Sequence, residues 1–170
     1  MDLKHFIRDI PDFPKPGILF KDITPLLKNP QAIGETITLL SKSAEGLDIT
    51  AVAGIESRGF IFGTGVSLEL GVGFIPIRKP GKLPAETIGE SYLLEYGTDT
   101  IEMHKDAVGE GDRVLLIDDL LATGGTVQAA AKLIEKTGAE VSKIAFVIEL
   151  GFLHGRDKIP GYNITSLMIF

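Results

Sequence analysis

The sequence predicts a single α/β domain spanning residues 1–170, a mostly parallel, twisted sheet flanked by helices. Three observations carry this. Short apolar runs alternate with stretches of helical periodicity, as in chains that build a parallel sheet covered on both faces. The run Arg113-Val114-Leu115-Leu116-Ile117 is apolar without alternation, the pattern of a strand buried on both sides. One long stretch, 80–103, breaks the rhythm with Pro80, Gly81, Pro84, Gly89 and Gly97 and reads as a flexible lid, loop or hairpin outside the sheet.

The elements follow in order. Leu3, Phe6, Ile7 and Ile10 recur at helical spacing and predict a short opening helix, ended by Pro11, Pro14 and Pro16. Asn29-Pro30 is an N-cap with proline in the first turn, and Ile33, Ile37, Leu40 and Ala44 line one face of the helix that follows. Thr50–Ile55 reads as a strand, Gly59–Leu70 as a helix and Gly73–Ile77 as a strand. After the buried run at 113–117, Thr126–Lys136 is a helix with Val127, Ala130, Ala131 and Ile134 inward, closed by Gly138. Lys143–Leu150 and Ile164–Ile169 supply two more strands.

Composition narrows the function. A net charge of −6 disfavours wholesale binding to a nucleic-acid backbone, though it leaves room for a local cationic pocket. With no cysteine, disulfides, zinc–thiolate sites and cysteine nucleophiles are excluded. The amino terminus lacks the apolar core of a secretory signal. The most apolar stretch, Phe60–Ile77, is interrupted by Glu69, Pro76 and four glycines, so it reads as a buried helix and strand rather than a membrane span. A cytoplasmic protein without membrane or nucleic-acid partners is expected. His5, His104 and His154 show no ligand spacing and receive no role.

The strongest local signal is Val114-Leu115-Leu116-Ile117-Asp118-Asp119-Leu120-Leu121-Ala122-Thr123-Gly124-Gly125-Thr126. A buried strand ends in two acids and turns through Thr-Gly-Gly-Thr into a helix. Glycines let the main chain approach a ligand, and free amides at a helix start face an anion. Ala122, Thr123, Gly124, Gly125 and Thr126 thus form a monophosphate cradle, with Asp118 and Asp119 placed to accept from sugar hydroxyls. Neither GxxxxGK[ST] nor GxGxxG occurs, which excludes the two commonest nucleotide motifs. Two basic clusters also follow apolar strands: Arg58, and Arg78, Lys79 with Lys82.

The thirteen-residue segment resembles the phosphoribosyl pyrophosphate motif of type I phosphoribosyltransferases. The likeness covers nearly the whole chain and is most specific to members that use adenine. Phe13–Pro25 resembles their amino-terminal base-binding region, within residues 1–30. Gly54-Ile55-Glu56-Ser57-Arg58-Gly59-Phe60 is similar to their pyrophosphate loop, and Arg78–Pro84 with Leu94-Glu95-Tyr96-Gly97 to their lid. Lys21 stands where the family commonly has Arg, which removes a planar bidentate donor.

The resemblance implies transfer of the 5-phosphoribosyl group from phosphoribosyl pyrophosphate to adenine, giving AMP and pyrophosphate. It implies 5-phosphate and ribose binding by Asp118, Asp119 and Ala122–Thr126. Pyrophosphate falls to Glu56, Ser57, Arg58, Arg78, Lys79 and Lys82, and adenine to Ile18, Leu19, Phe20, Lys21 and Leu150. Glu95 becomes the general acid/base. Mg²⁺ is expected through the substrate's own oxygens, with no resident protein site. A homodimer and a non-proline cis peptide at Glu56-Ser57 are further implications. A sibling enzyme for hypoxanthine, guanine, xanthine or orotate is disfavoured by Phe13–Pro25. A non-catalytic phosphoribosyl pyrophosphate sensor is disfavoured by the acidic charge and the want of room for a nucleic-acid-binding domain.

Overall fold

The computed structural model describes residues 1–94 and 97–170. Its strands are β1 (Arg8–Pro11), β2 (Leu19–Asp22), β3 (Ala51–Ile55), β4 (Gly73–Ile77), β5 (Thr87–Leu93), β6 (Thr98–His104), β7 (Arg113–Leu121), β8 (Glu140–Glu149) and β9 (Ile164–Ile169). Its α-helices are α1 (Thr24–Lys28), α2 (Pro30–Ser43), α3 (Arg58–Leu70) and α4 (Gly125–Glu135). Five strands form one parallel sheet in the order β4-β3-β7-β8-β9.

Strand β7 shows why this sheet is buried on both faces. Val114 and Leu116 enter one hydrophobic cluster, shared with α4, and Leu115 and Ile117 enter the other, shared with α2 and α3. All four are fully buried. Period-2 alternation between two apolar layers needs an apolar residue at every position. Helix α2 begins where Asn29 Oδ1 accepts from the amides of Gln31 and Ala32 at 3.0 and 2.9 Å. Its buried line is Ala32, Thr36 and Leu40, with Ile33 and Ile37 half-buried beside it.

The strand order locates the site. From β3 the chain moves outward to β4, and later returns to the other side of β3 as β7. The order therefore reverses between β3 and β7, and a crevice opens beyond their carboxyl ends, where open α/β sheets bind ligands.

One expectation is corrected. Only Leu3–Phe6 of the opening segment is helical, as a 3-10 turn, and Arg8–Pro11 is instead strand β1, antiparallel to β2. A short helix is marginal alone, and here pairing of Ile10 opposite Phe20 and an Arg8–Asp22 ion pair at 2.6 Å outweigh it. Of the two forms expected for 80–103, loop or hairpin, the structure shows the hairpin. This stretch contains the antiparallel hairpin β5–β6, whose Ile101 and Met103 are at most 1% exposed and belong to the main core. Its β6 strand is thus packed in place.

Candidate active site

The crevice is built from four chain segments. Helix α3 starts at the end of β3 through Glu56-Ser57, a cis peptide bond as the resemblance implied. Strand β7 runs on past Ile117 to Leu121, so Asp118 and Asp119 lie within the strand and not in a turn beyond it. Gly59 has no side chain to separate these segments: a Cβ there would stand 2.9 Å from Asp118 Oδ1. That close approach brings Arg58 Nε to 2.9 Å from Asp119 Oδ2. Ser57, Arg58, Lys79, Asp118, Asp119 and Thr126 meet around a cleft of about 240 Å³.

Both helices that open onto this region have uncapped amino termini. Ser57 before α3 and Gly124 before α4 make no side-chain capping bond, whereas Asn29 caps α2. Their first amides remain available, with the positive end of each helix dipole, to an anion. The turn Ala122–Thr126 lines its own recess of about 90 Å³ beside Asp118.

The acids are electrostatically unusual. Burial raises the Asp118 carboxyl well above the ordinary carboxylate range, and the neighbouring charge of Asp119 adds to the rise. Burial also raises Asp119, but Arg58 opposes it. Asp118 Oδ1 accepts from the Asp119 amide at 2.9 Å. Two adjacent buried carboxyls disfavour carrying two charges at once, and Arg58 favours the charge on Asp119.

The basic cluster is held by two acids. Glu56 accepts from the Lys79 amide at 2.5 Å and from Lys82 Nζ at 2.7 Å, with Arg78 Nε 3.5 Å away. Burial pushes the Glu56 carboxyl up, but these partners outweigh it and hold it below its usual range. Glu56 thus arranges these cations and itself lines the cleft. Lys79 Nζ pairs with Asp99 of β6, beside the Tyr92 hydroxyl. Burial would lower the Lys79 ammonium, yet Asp99 and Tyr92 raise it, and it stays charged.

The expected base-binding residues divide between two faces. Phe20 lies with Ile10, Phe13 and Asp22 around a cleft of about 220 Å³, its ring edge-on to Phe13 at 5.2 Å. Arg58 stands 5.4 Å over the Phe20 ring. Lys21 does not join them. As the next residue of β2 it points to the opposite face, 2.6 Å from Asp9 and 4.2 Å over the Phe170 ring. Ile18 and Leu19 are exposed, and Leu150 packs against the α2–α3 side of the core. Glu95, the expected general acid/base, lies outside the described residues.

No three His, Cys, Asp or Glu side chains converge as a metal site among the described residues. An ion carried on substrate oxygens requires no such cluster.

Several contributors escaped the sequence reading. Tyr92 reaches the cleft from the hairpin, Asp99 holds the cleft's Lys79, and Gly155 packs against the cradle from a segment beyond β8. Their types carry no motif, and only the fold brings them near.

Comparison with known proteins agrees with this geometry. The phosphoribosyl transferase domain family matches residues 22–165. The adenine phosphoribosyltransferase of Thermoanaerobacter sp. (strain X514) is 58% identical over 169 residues, covering 99% of this chain and 98% of its own. The crystal structure of adenine phosphoribosyltransferase from Thermoanaerobacter pseudethanolicus superimposes with a TM-score of 0.96 at 57% identity, covering 99% of this chain and 98% of that one. The Saccharomyces cerevisiae enzyme, solved with an imino-altritol bisphosphate and adenine, superimposes with a TM-score of 0.92 at 40% identity over 98% of this chain and 96% of that one. The match runs through sheet, cradle and hairpin alike, and the chain belongs to the phosphoribosyltransferase family, in its adenine phosphoribosyltransferase branch.

Proposed function

We propose that this chain transfers the 5-phosphoribosyl group of phosphoribosyl pyrophosphate to adenine. The attacking ring nitrogen of adenine forms a bond to the anomeric carbon as the bond from that carbon to pyrophosphate breaks. The nitrogen's proton passes to a base, and AMP and pyrophosphate leave. The observation that carries the reading is the meeting, at the β3/β7 reversal, of two uncapped helix amino termini with a buried acid pair.

Each part of the substrate has a matching wall. The amides and hydroxyls of Ala122–Thr126 take the 5-phosphate, and Asp118 and Asp119 accept from the ribose hydroxyls. Ser57, Arg58, Arg78, Lys79 and Lys82 neutralise pyrophosphate as it departs. This matters because positive charge grows on the sugar while negative charge grows on the leaving group. A magnesium ion bound through substrate oxygens supplies further neutralisation. Adenine stacks on Phe20, and main-chain acceptors near Ile18–Phe20 receive its exocyclic amine, a donor that hypoxanthine lacks. Glu95 takes the proton from adenine, and its loss in Glu95→Gln lowers turnover by roughly 10²–10⁴-fold. The protein works as a homodimer in the cytoplasm, and light scattering gives its mass in solution.

The test follows conversion of adenine to AMP with and without phosphoribosyl pyrophosphate and Mg²⁺, with hypoxanthine and guanine as competitors. AMP formation that needs both supports the reading. Turnover of hypoxanthine at the adenine rate, or no turnover of any base, overturns it.

A further inference from the structure

Arg156 lines neither the cleft nor the Ala122–Thr126 recess, yet its guanidinium makes three side-chain hydrogen bonds. Its Nε donates to Glu149 Oε1 at 2.8 Å, and its Nη2 to Glu149 Oε2 at 2.7 Å and to Ser166 Oγ at 3.3 Å. This is a two-pronged guanidinium–carboxylate pair, the geometry that Arg supplies and Lys does not. Glu149 ends β8, and its carboxylate side chain is 8% exposed. The bond from Arg156 holds that carboxyl below its usual range, and Glu149 in turn raises the guanidinium.

The neighbour of this clamp is Gly155, which opens the 3-10 turn Gly155–Lys158. Its main chain lies directly against the cradle. A Cβ on Gly124, whose φ is +84°, would come within 2.2 Å of the Gly155 carbonyl oxygen, and a Cβ on Gly155 within 2.3 Å of the Ala122 carbonyl oxygen. One further tie fixes the same turn, Gln128 Nε2 of α4 donating to the Lys158 carbonyl at 2.5 Å, and just upstream the Leu150 amide donates to Leu121 O at 2.9 Å. The cradle is therefore a Thr-Gly-Gly-Thr turn with a second chain segment pressed behind it.

We propose that Arg156, clamped by Glu149, is a positioning residue for the 5-phosphate. It holds Gly155 behind Ala122–Gly124, so that the cradle's amides keep one orientation before the anion arrives. This rests on reading Ala122–Thr126 as the 5-phosphate site. Preorganised amides bind an anion without the cost of ordering a flexible loop, and the loss should fall on the phosphate-bearing substrate alone.

The experiment measures KM for phosphoribosyl pyrophosphate and for adenine, with thermal melting, in Arg156→Ala, Arg156→Lys, Gly155→Ala and Thr126→Ala. For Arg156→Ala, KM for phosphoribosyl pyrophosphate rises tenfold or more while KM for adenine stays within twofold. Arg156→Lys, which keeps the charge but loses the fork, falls between it and the parent, and decides the matter if Arg156→Ala fails to fold. An unchanged KM for phosphoribosyl pyrophosphate in the Arg156 and Gly155 variants, with a raised value in Thr126→Ala, overturns the proposal and leaves the cradle reading intact. No effect in Thr126→Ala either overturns both. Parallel rises in both KM values that track lost thermal stability also overturn it, in favour of a purely structural pair.

Discussion

Arg58 Nε lies 2.9 Å from Asp119 Oδ2, and the same guanidinium stands over the Phe20 ring at 5.4 Å. One side chain thus joins the acid pair of β7 to the aromatic of β2. Asp119 is 5% exposed, so its charge depends on this partner. Arg58→Ala should remove a charge-assisted contact worth roughly 1.5–3 kcal/mol, or about 10- to 150-fold in kcat/KM. Steady-state kinetics with both substrates checks this, and a loss under threefold contradicts it.

Asp118 makes a prediction of opposite sign for stability and activity. Its folded-state carboxyl titrates well above its unfolded value of about 3.9, chiefly through burial. The folded chain therefore holds a proton that the unfolded chain has released, and stability falls as pH rises between those two values. Asp118→Asn keeps an acceptor for the Asp119 amide and removes the charge. The variant should melt at a higher temperature than the parent as pH rises above the ordinary carboxylate range, while losing turnover. A melting temperature that never exceeds the parent's at any alkaline pH argues against the raised titration.

The hairpin offers a test of where the lid begins. Met103 of β6 is fully buried in the main core, whereas Leu93 at the far end of β5 is 79% exposed. Met103→Ala should cost about 2–5 kcal/mol in urea unfolding, and Leu93→Ala less than ~0.5 kcal/mol. Equal small losses would mean that the hairpin is not anchored as described.

These particulars show what the sequence made legible. The cradle and its acids were readable because one strand, one turn and one helix lie contiguous in the chain, each with its own local signature. Helices α2 and α4 were likewise readable from Asn29-Pro30 and Gly138. Strand β1 was not, because Leu3, Phe6, Ile7 and Ile10 fit a helix until Phe20 and Asp22 provide cross-strand partners. The role of 98–104 was hidden for a similar reason: Ile101 and Met103 alternate with polar residues, and only docking shows that this face is core. Gly155 and Asp99 meet Gly124 and Lys79 from other segments, and the Arg156–Glu149 pair, though only seven residues apart, spans an irregular turn with no periodic signature.

The base slot yields the last prediction, since Phe20 and Lys21 are adjacent in sequence and opposite in space. Phe20 faces the cleft with Phe13 and Arg58, while Lys21 is turned to Asp9 at 2.6 Å and to the Phe170 ring at 4.2 Å. Stacking of a base on an aromatic is worth about 1–3 kcal/mol. Phe20→Ala should therefore raise KM for adenine by roughly 5- to 150-fold and leave KM for phosphoribosyl pyrophosphate nearly unchanged. Lys21→Ala removes an ion pair within the β1–β2 hairpin and a cation–π contact that ties it to the carboxyl terminus. It should cost about 0.5–2 kcal/mol of stability, with KM for adenine within twofold. Paired kinetics and urea unfolding of the two variants separate the faces. A large rise in adenine KM for Lys21→Ala, at unchanged stability, would instead place that ammonium at the base.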